Sequence, residues 1–173
     1  MTFTAGWLTS SAKSRRTGHD GRQICLIILR AVPDDARSRQ DNDVDTQPIN
    51  LSAALKSFND IYNPRIVTRM NDYDVRIAHT KGEHLWHVHA DTDEFFLVLD
   101  GQFDIALRQQ DGSERTVSLR QGDIFVVPKG TEHKPSSPGG SILMFEPSQT
   151  LTTGDWHDGE IPAHVHSTTG QEL

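Results

Sequence analysis

The chain has 173 residues, enough for one domain with a hydrophobic core and some chain to spare. Lys and Arg number 17 against 24 Asp and Glu, which gives a formal charge of −7. This charge argues against a nucleic-acid partner, because phosphate binding needs a concentrated basic surface. The hydrophobic fraction of 35% is low for a compact globule, so part of the chain is expected to lie outside the packed core.

The first 47 residues differ from the rest of the chain. They mix charges with turn-forming residues and lack the periodicity of a strand or a helix, so we predict a disordered extension over residues 1–47, interrupted by a short apolar segment at 24–29. No stretch approaches the ~20 apolar residues of a transmembrane helix, and no signal peptide is recognised, so no membrane partner is expected. The single Cys25 excludes an internal disulfide and suits a reducing cytosol, which predicts a cytoplasmic protein.

A short amphipathic helix is predicted next, with Asn50 or Ser52 as its N-cap and the Asn63-Pro64 pair at its end. Its apolar stripe consists of Leu51, Leu55 and Phe58.

From residue 65 the pattern changes to short strands separated by turn signals, which predicts an all-β sandwich or barrel over residues 48–150. The pairs Asn71-Asp72, Asp100-Gly101 and Asp111-Gly112 each predict a turn between two strands. Strands are expected at residues 65–70, 73–79, 85–89, 94–99, 101–108, 115–119, 123–127 and 141–146. The composition then becomes polar, and residues 151–173 are interpreted as a disordered polar C-terminal tail.

Four potential metal ligands lie among these strands. Residues two apart in a strand face the same side, so His87 and His89 are expected to point in one direction. Glu94 opens the next strand after a short turn, and His133 follows a second turn in VVPKGTEH. Three imidazoles and one carboxylate form a mixed nitrogen and oxygen site, which suits iron, manganese, nickel, copper or zinc rather than calcium or magnesium.

Two segments resemble the paired motifs of the cupin superfamily. Residues 82–101 read GEHLWHVHADTDEFFLVLDG, and residues 122–133 read GDIFVVPKGTEH. The first motif is one residue short between its first glycine and its first histidine. Ser137 stands where the second motif usually has an asparagine. The resemblance covers residues 65–147 and does not extend to the N-terminal third.

The resemblance implies a small single-domain cupin (a monocupin), folded as a double-stranded β-helix, or jelly-roll barrel, with a metal inside. In cupins the residues that match His87, His89, Glu94 and His133 hold one divalent transition metal. The resemblance also implies a homodimer, and the strand EFFLVL, which is apolar on both faces, favours packing on a second sheet or subunit.

Four protein ligands leave two positions open on an octahedral metal, enough for water, O₂ or a bidentate substrate. The first hypothesis is therefore a metal-dependent enzyme that acts on a small molecule, either a dioxygenase-like oxidoreductase or an isomerase. No catalytic acid or base and no residues for an organic cofactor are identified. The alternative is a module that binds or senses a metal or small ligand without turnover. A storage-type cupin is disfavoured by the small size.

Other residues near the motifs receive structural interpretations. His84 and Trp86 are out of phase with the two histidines of the first motif and are expected to face away from the metal. A second His-x-His pair, His164 and His166, lacks a following glutamate and is interpreted as part of the tail. Four apolar residues are candidates for the mouth of a pocket: Phe103, Ile105, Phe125 and Met144.

Overall fold

The computed structural model describes residues 47–173, so the predictions made for residues 1–46 lie outside the described part of the chain. The first element, α1, spans Leu51–Leu55 and begins at the predicted cap, where the Asn50 side chain accepts a hydrogen bond of 2.9 Å from the Ala53 amide. The helix ends well before Asn63-Pro64, because the residues that follow it, KSFND, contain Ser, Asn and Asp, which favour turns over helix interiors.

Nine strands follow the helix, and most of the predicted strands overlap with them. Their bounds are β1 Arg65–Met70, β2 Tyr73–Glu83, β3 His87–Val88, β4 Glu94–Arg108, β5 Glu114–Arg120, β6 Ile124–Val127, β7 His133–Pro147, β8 Trp156–His157 and β9 Gln171–Glu172. The all-β class is therefore confirmed.

Two long antiparallel strands, β4 and β7, form the centre of the structure. The strands pair in the order β5-β4-β7-β2-β1-β9, and β6 pairs with the first residues of β4 while β5 pairs with its second half. Strand β3 pairs with the start of β7 and with β8. The two central strands thus each contact several partners along their length, which wraps the sheet around one interior.

The hairpin predicted at Asp100-Gly101 is wrong, because β4 continues through it. Gly101 has a φ of 76° and lies opposite Gly140 of β7. A Cβ on Gly101 would lie 2.2 Å from the carbonyl oxygen of Gly139, so the residue must be glycine for the two bent strands to approach this closely. The other two turns are confirmed: Asn71-Asp72 joins β1 to β2, and Asp111-Gly112 lies between β4 and β5.

Side chains alternate between the two faces of the central strands. The inner face of β4 and β7 carries Phe96, Val98, Ile142 and Met144, which belong to the main hydrophobic cluster. A second cluster lies around the helix, where Ala54 and Phe58 are buried together with Val67 and Ile77. The helix therefore covers part of one face of the sheet, and the interior of the sheet remains a separate space.

Residues 151–173 differ from the disordered tail that their composition predicted. They pack against the sheet, with β8 paired to β3 and β9 paired to β1, and they bury Val165. Their backbone finds hydrogen-bond partners there, since the Asp155 amide bonds to the Val88 carbonyl at 2.9 Å and Gln171 bonds to Pro64 at 2.9 Å. Across residues 47–173, no helix has the length and apolar character needed to cross a membrane.

Candidate metal centre

The four predicted ligands lie at or next to the first residues of three strands. His87 opens β3, Glu94 opens β4 and His133 opens β7, while His89 follows directly after β3. His87 and His133 are paired in the β3–β7 ladder, so their side chains lie next to each other. Strand alternation places His89 on the same side as His87, as the sequence predicted.

All four side chains are buried, and their ligand atoms lie within 4.8 Å of one another. The Nε2 atom of His133 lies 2.8 Å from Oε2 of Glu94, and Nε2 of His89 lies 3.4 Å from the same oxygen. Each of the four residues therefore presents one nitrogen or oxygen atom to a common point, which is the arrangement that a metal ion needs.

The histidine rings are oriented by backbone carbonyls. Nδ1 of His87 lies 3.1 Å from the Leu85 carbonyl, and Nδ1 of His133 lies 3.0 Å from the Thr131 carbonyl. A carbonyl only accepts hydrogen bonds, so each Nδ1 carries a proton, and a neutral ring then has its lone pair on Nε2. The Nε2 atoms of His87 and His89 are buried and have no hydrogen-bond partner. These atoms fit a metal ion, which would satisfy their lone pairs.

The electrostatics of the group favour a neutral His87 beside an ionised Glu94. Burial holds the pKa of His87 well below its ordinary value, and nearby His133 lowers it further. Burial alone would raise the pKa of Glu94, but the adjacent imidazoles of His133 and His89 outweigh it and hold that pKa well below its ordinary value. Burial lowers the pKa of His89, yet the adjacent carboxylate of Glu94 raises it overall. Neutral imidazole and carboxylate are the forms that bind metals.

A cavity of about 30 Å³ lies beside the ligands, and His87 and Glu94 form part of its wall. Most of the remaining wall is apolar and comes from the inner faces of β2, β4 and β7: Ala78, Phe96, Phe103, Ile142 and Met144. Of the four pocket candidates from the sequence, Phe103 and Met144 line the cavity, whereas Ile105 and Phe125 belong to the hydrophobic cluster around it. The cavity therefore offers a small ligand a place beside the four side chains.

Comparison with known proteins agrees with this geometry. A family profile described as a cupin domain, Cupin_2, matches residues 74–146. YdbB of Bacillus subtilis, an uncharacterized protein, is 34% identical over 88 residues, which cover 51% of this chain and 74% of YdbB. The chain belongs to the cupin superfamily. The crystal structure of a cupin-2 domain protein from Shewanella frigidimarina is also similar, with 39% identity, a TM-score of 0.54, and coverage of 57% of this chain and 93% of that protein.

The cupin also resembles an enzyme. The 3-hydroxyanthranilate 3,4-dioxygenase of Xanthomonas campestris is 27% identical over 103 residues, which cover 57% of this chain. The matched part spans only 58% of the dioxygenase. The double-stranded β-helix implied by the motifs is confirmed, since an uncharacterized protein from Klebsiella pneumoniae with that domain superimposes with a TM-score of 0.50 at 16% identity. The similarity to the dioxygenase concerns 57% of this chain at 27% identity, and the reaction of the cupin remains a proposal.

The structure corrects the prediction for His84, which lines the same cavity as His87 and lies with its ring centroid 5.0 Å from that of His87. Strand alternation fails here because β3 begins only at His87, so the residues before it do not follow a period of two. Burial lowers the pKa of His84 to about 4, which keeps the ring neutral. Trp86 lies elsewhere, beneath the guanidinium of Arg108 at 4.3 Å from its ring centroid.

Sequence reasoning missed a buried ionic group at the far side of the cavity. Arg76 of β2 is fully buried and forms ion pairs with Asp74 at 3.1 Å and with Glu146 at 2.8 Å. Glu146 also lines the cavity, together with His87 and Glu94. A signal was present, because Arg76 and Glu146 lie in phase with the inward residues Ala78 and Met144 of their strands.

Burial and neighbouring charges both affect the pKa of Glu146. Burial raises the pKa of this carboxyl to about 8, and the nearby negative charge of Glu94 adds to the increase. Arg76 acts in the opposite direction and lowers it. A cation held by the four ligands would offset the charge of Glu94 and therefore favour the ionised form of Glu146.

The second His-x-His pair does not join a metal-binding group. His164 and His166 are both exposed, and Nε2 of His164 lies 2.8 Å from the Glu83 carbonyl. Within residues 47–173, the one group of histidines, cysteines and carboxylates close enough to share an ion is the set of His87, His89, Glu94 and His133. His164 and His166 instead help to attach the C-terminal segment to the barrel, where His166 bonds through its amide to the Tyr62 carbonyl.

Proposed function

We propose that this cupin is a metal-dependent enzyme that acts on a small molecule, as a dioxygenase-like oxidoreductase or an isomerase. His87, His89, Glu94 and His133 would hold one divalent transition metal. The observation that carries the proposal is the pair of buried Nε2 atoms without partners, which converge with a buried carboxylate beside a cavity. Structural zinc sites use four ligands with no adjoining cavity, whereas catalytic sites keep access for a substrate.

The residues around the site have defined tasks in such an enzyme. A bound metal supplies Lewis-acid chemistry by polarising a carbonyl or hydroxyl oxygen of the substrate. The apolar side chains of Phe96, Phe103 and Met144 exclude water and so strengthen the electrostatic interactions at the reacting atoms. The Leu85 and Thr131 carbonyls fix the imidazole rings of His87 and His133.

The similarity to 3-hydroxyanthranilate 3,4-dioxygenase supports the oxygenase form of the proposal. The metal ligands of this cupin suit iron as well as manganese, nickel, copper and zinc. The test is elemental analysis of protein purified without chelators, followed by reconstitution with Fe(II) and measurement of O₂ consumption with catechol, hydroquinone and 3-hydroxyanthranilate. We expect one metal per chain and O₂ consumption with at least one of these substrates.

Two variants control this experiment. His87→Ala removes a ligand and should abolish both metal content and O₂ consumption. His166→Ala removes an exposed histidine of the second His-x-His pair and should change neither. A wild-type protein that binds no transition metal at any stoichiometry would contradict the proposal.

A second candidate function is a module that binds a metal and a small ligand without turnover. The size of the cavity, about 30 Å³, favours this alternative because the space beside the ligands is small for a substrate together with O₂. Tight metal binding together with the absence of O₂ consumption and of isomerase activity would support the binding module over the enzyme.

We also propose a cytoplasmic homodimer. The outer face of β6 exposes Ile124 and Val126, and next to them Tyr73 of β2 stacks on Phe145 of β7 with ring centroids 5.0 Å apart. Exposed apolar side chains of this kind favour burial against a second copy. Light scattering on the full chain should give the mass of a dimer, and Ile124→Lys should reduce it to that of a monomer.

A further inference from the structure

Glu146 uses only one of its two carboxylate oxygens in its ion pair with Arg76. Its Oε1 accepts a hydrogen bond of 2.8 Å from Nη1 of Arg76, but its Oε2 is buried without a partner. The Nε atom of Arg76 is buried and unpartnered as well. A carboxylate that serves only as a counter-ion to arginine commonly uses both oxygens in a bidentate pair. Glu146 instead keeps one oxygen free although a donor of the same arginine is also free.

The other interactions of Arg76 make it a fixed support for Glu146. Its two terminal nitrogens also donate to the Asp74 carboxylate at 3.1 Å, to the Thr150 carbonyl at 2.9 Å, and to the Pro147 and Ser148 carbonyls. Asp74 is held in turn by Ser148 Oγ at 2.7 Å. The guanidinium is therefore immobile, and so is the Glu146 oxygen that it binds.

The free oxygen belongs to a residue of the cavity wall. Glu146 lines the cavity together with His87, Glu94 and the apolar residues Phe96 and Met144. The hydroxyl of Tyr62, another residue of this wall, already donates to the Gly82 carbonyl at 3.0 Å. A buried carboxylate oxygen without a hydrogen bond is costly, and a hydrogen-bond donor on a ligand in the cavity would remove that cost.

We propose that Oε2 of Glu146 accepts a hydrogen bond from a hydroxyl group of the small ligand that binds beside the metal centre. Arg76 is a positioning residue, which acts by holding Glu146. This inference rests on the proposed function, because it assumes a ligand at the metal. A small hydroxy acid meets both requirements, because it carries one carboxylate for the metal and one hydroxyl for Glu146.

The test uses the full chain loaded with Co(II), whose visible absorption reports ligand binding at the metal. Glycolate and acetate are the probes, since acetate lacks only the hydroxyl group. Glu146→Gln is the main variant. Arg76 has donors alone, so the amide oxygen of the glutamine must face Arg76 and its NH₂ group must face the cavity. The substitution thus preserves the contact with Arg76 and replaces the acceptor in the cavity by a donor.

Asp74→Asn is the matched control, because Asp74 also binds Arg76 but does not line the cavity. We expect the wild type to bind glycolate at least tenfold more tightly than acetate, as a charge-assisted hydrogen bond predicts. Glu146→Gln should reduce this ratio by roughly tenfold, and Asp74→Asn should change it by less than about twofold. If Glu146→Gln does not fold, Glu146→Asp gives the same comparison, since it withdraws the carboxylate from the cavity by one methylene.

The outcomes separate this inference from the proposed function. Failure of the wild type to bind Co(II) would overturn the metal centre itself. Binding of Co(II) without a preference for glycolate, or with the same preference in Glu146→Gln, would overturn the role of Glu146 and leave the metal centre intact. An equal loss of preference in Asp74→Asn would assign the effect to the ionic group as a whole and would also overturn it.

Discussion

His133 Nε2 lies 2.8 Å from Glu94 Oε2, although 39 positions separate the two residues in the sequence. The Thr131 carbonyl accepts a hydrogen bond from Nδ1 of His133, so in a neutral ring Nε2 presents its lone pair to a carboxylate oxygen that also has only lone pairs. Two such atoms repel each other at this distance unless a proton or a metal ion lies with them. A metal ion bound by both atoms would remove this repulsion, which gives the first prediction.

Glu94→Gln should weaken Zn(II) binding more than about 100-fold. Replacing a residue that only forms a hydrogen bond to a metal ligand already costs roughly 10- to 100-fold in metal affinity, and Glu94 would be a ligand itself. The variant removes the one negative charge among the four ligands. Competition with a chromophoric chelator measures the affinity. Glu132→Gln is the matched control, because Glu132 is a partly exposed carboxylate that forms an ion pair with Arg108. Unchanged Zn(II) affinity in Glu94→Gln would contradict the assignment of Glu94 as a ligand.

His84 should make the metal-free protein less stable in acid. Burial lowers the pKa of His84 to about 4 in the folded chain, whereas in the unfolded chain the pKa is near its ordinary value of 6.5. The unfolded state thus binds the proton first, so stability is complete above pH 6.5 and falls as the pH decreases toward 4. The difference in pKa corresponds to about 3 kcal/mol in the free energy of unfolding.

Urea denaturation of metal-free wild type and His84→Gln at several pH values between 7 and 4 isolates this contribution. Subtracting the two curves removes the titration of the other groups, including Glu146. We expect the wild type to lose more stability than His84→Gln over this interval. Parallel curves would show that His84 is not buried in its neutral form.

Gly101→Ala should destabilise the protein by about 3 kcal/mol or more, because the new Cβ would overlap the Gly139 carbonyl oxygen as well as strain a φ of 76°. Gly112→Ala is the control, since it has a φ of 82° but no atom within 4 Å of the added Cβ. Its cost should be limited to about 1–2 kcal/mol of backbone strain. Equal costs in chemical denaturation would contradict the close approach of β4 and β7.

Arg76→Met should cost about 3–5 kcal/mol in the free energy of unfolding, because it leaves the buried carboxyl group of Glu146 without its partner and removes one of the two arginines that pair with Asp74. Arg69→Met provides the comparison. Arg69 also pairs with Asp74, at 3.1 Å, but half of its side chain is exposed, so its loss should cost less than about 1 kcal/mol. Thermal and urea denaturation of both variants measure the difference, and similar costs would mean that the Arg76 group contributes no more than a surface ion pair.

The order of residues along the chain was sufficient to predict most of the strands and the four side chains whose ligand atoms the structure brings within 4.8 Å of one another. His87 and His89 share a face because strand alternation is local, and the turns at Asn71-Asp72 and Asp111-Gly112 follow from backbone preferences of the residues themselves. The same rules failed at Asp100-Gly101. A glycine that permits a positive φ in a turn also permits close contact between two strands, and the sequence does not distinguish these uses.

Only the tertiary structure decided which distant residues share the interior. Arg76 and Glu146 are 70 positions apart, and their pairing depends on the register of β2 against β7. His84 enters the cavity because the strand begins after it, which no periodicity could indicate. Local backbone chemistry thus determined the elements and the pattern of the four clustered side chains, whereas long-range strand pairing determined the cavity and the position of Glu146 in its wall.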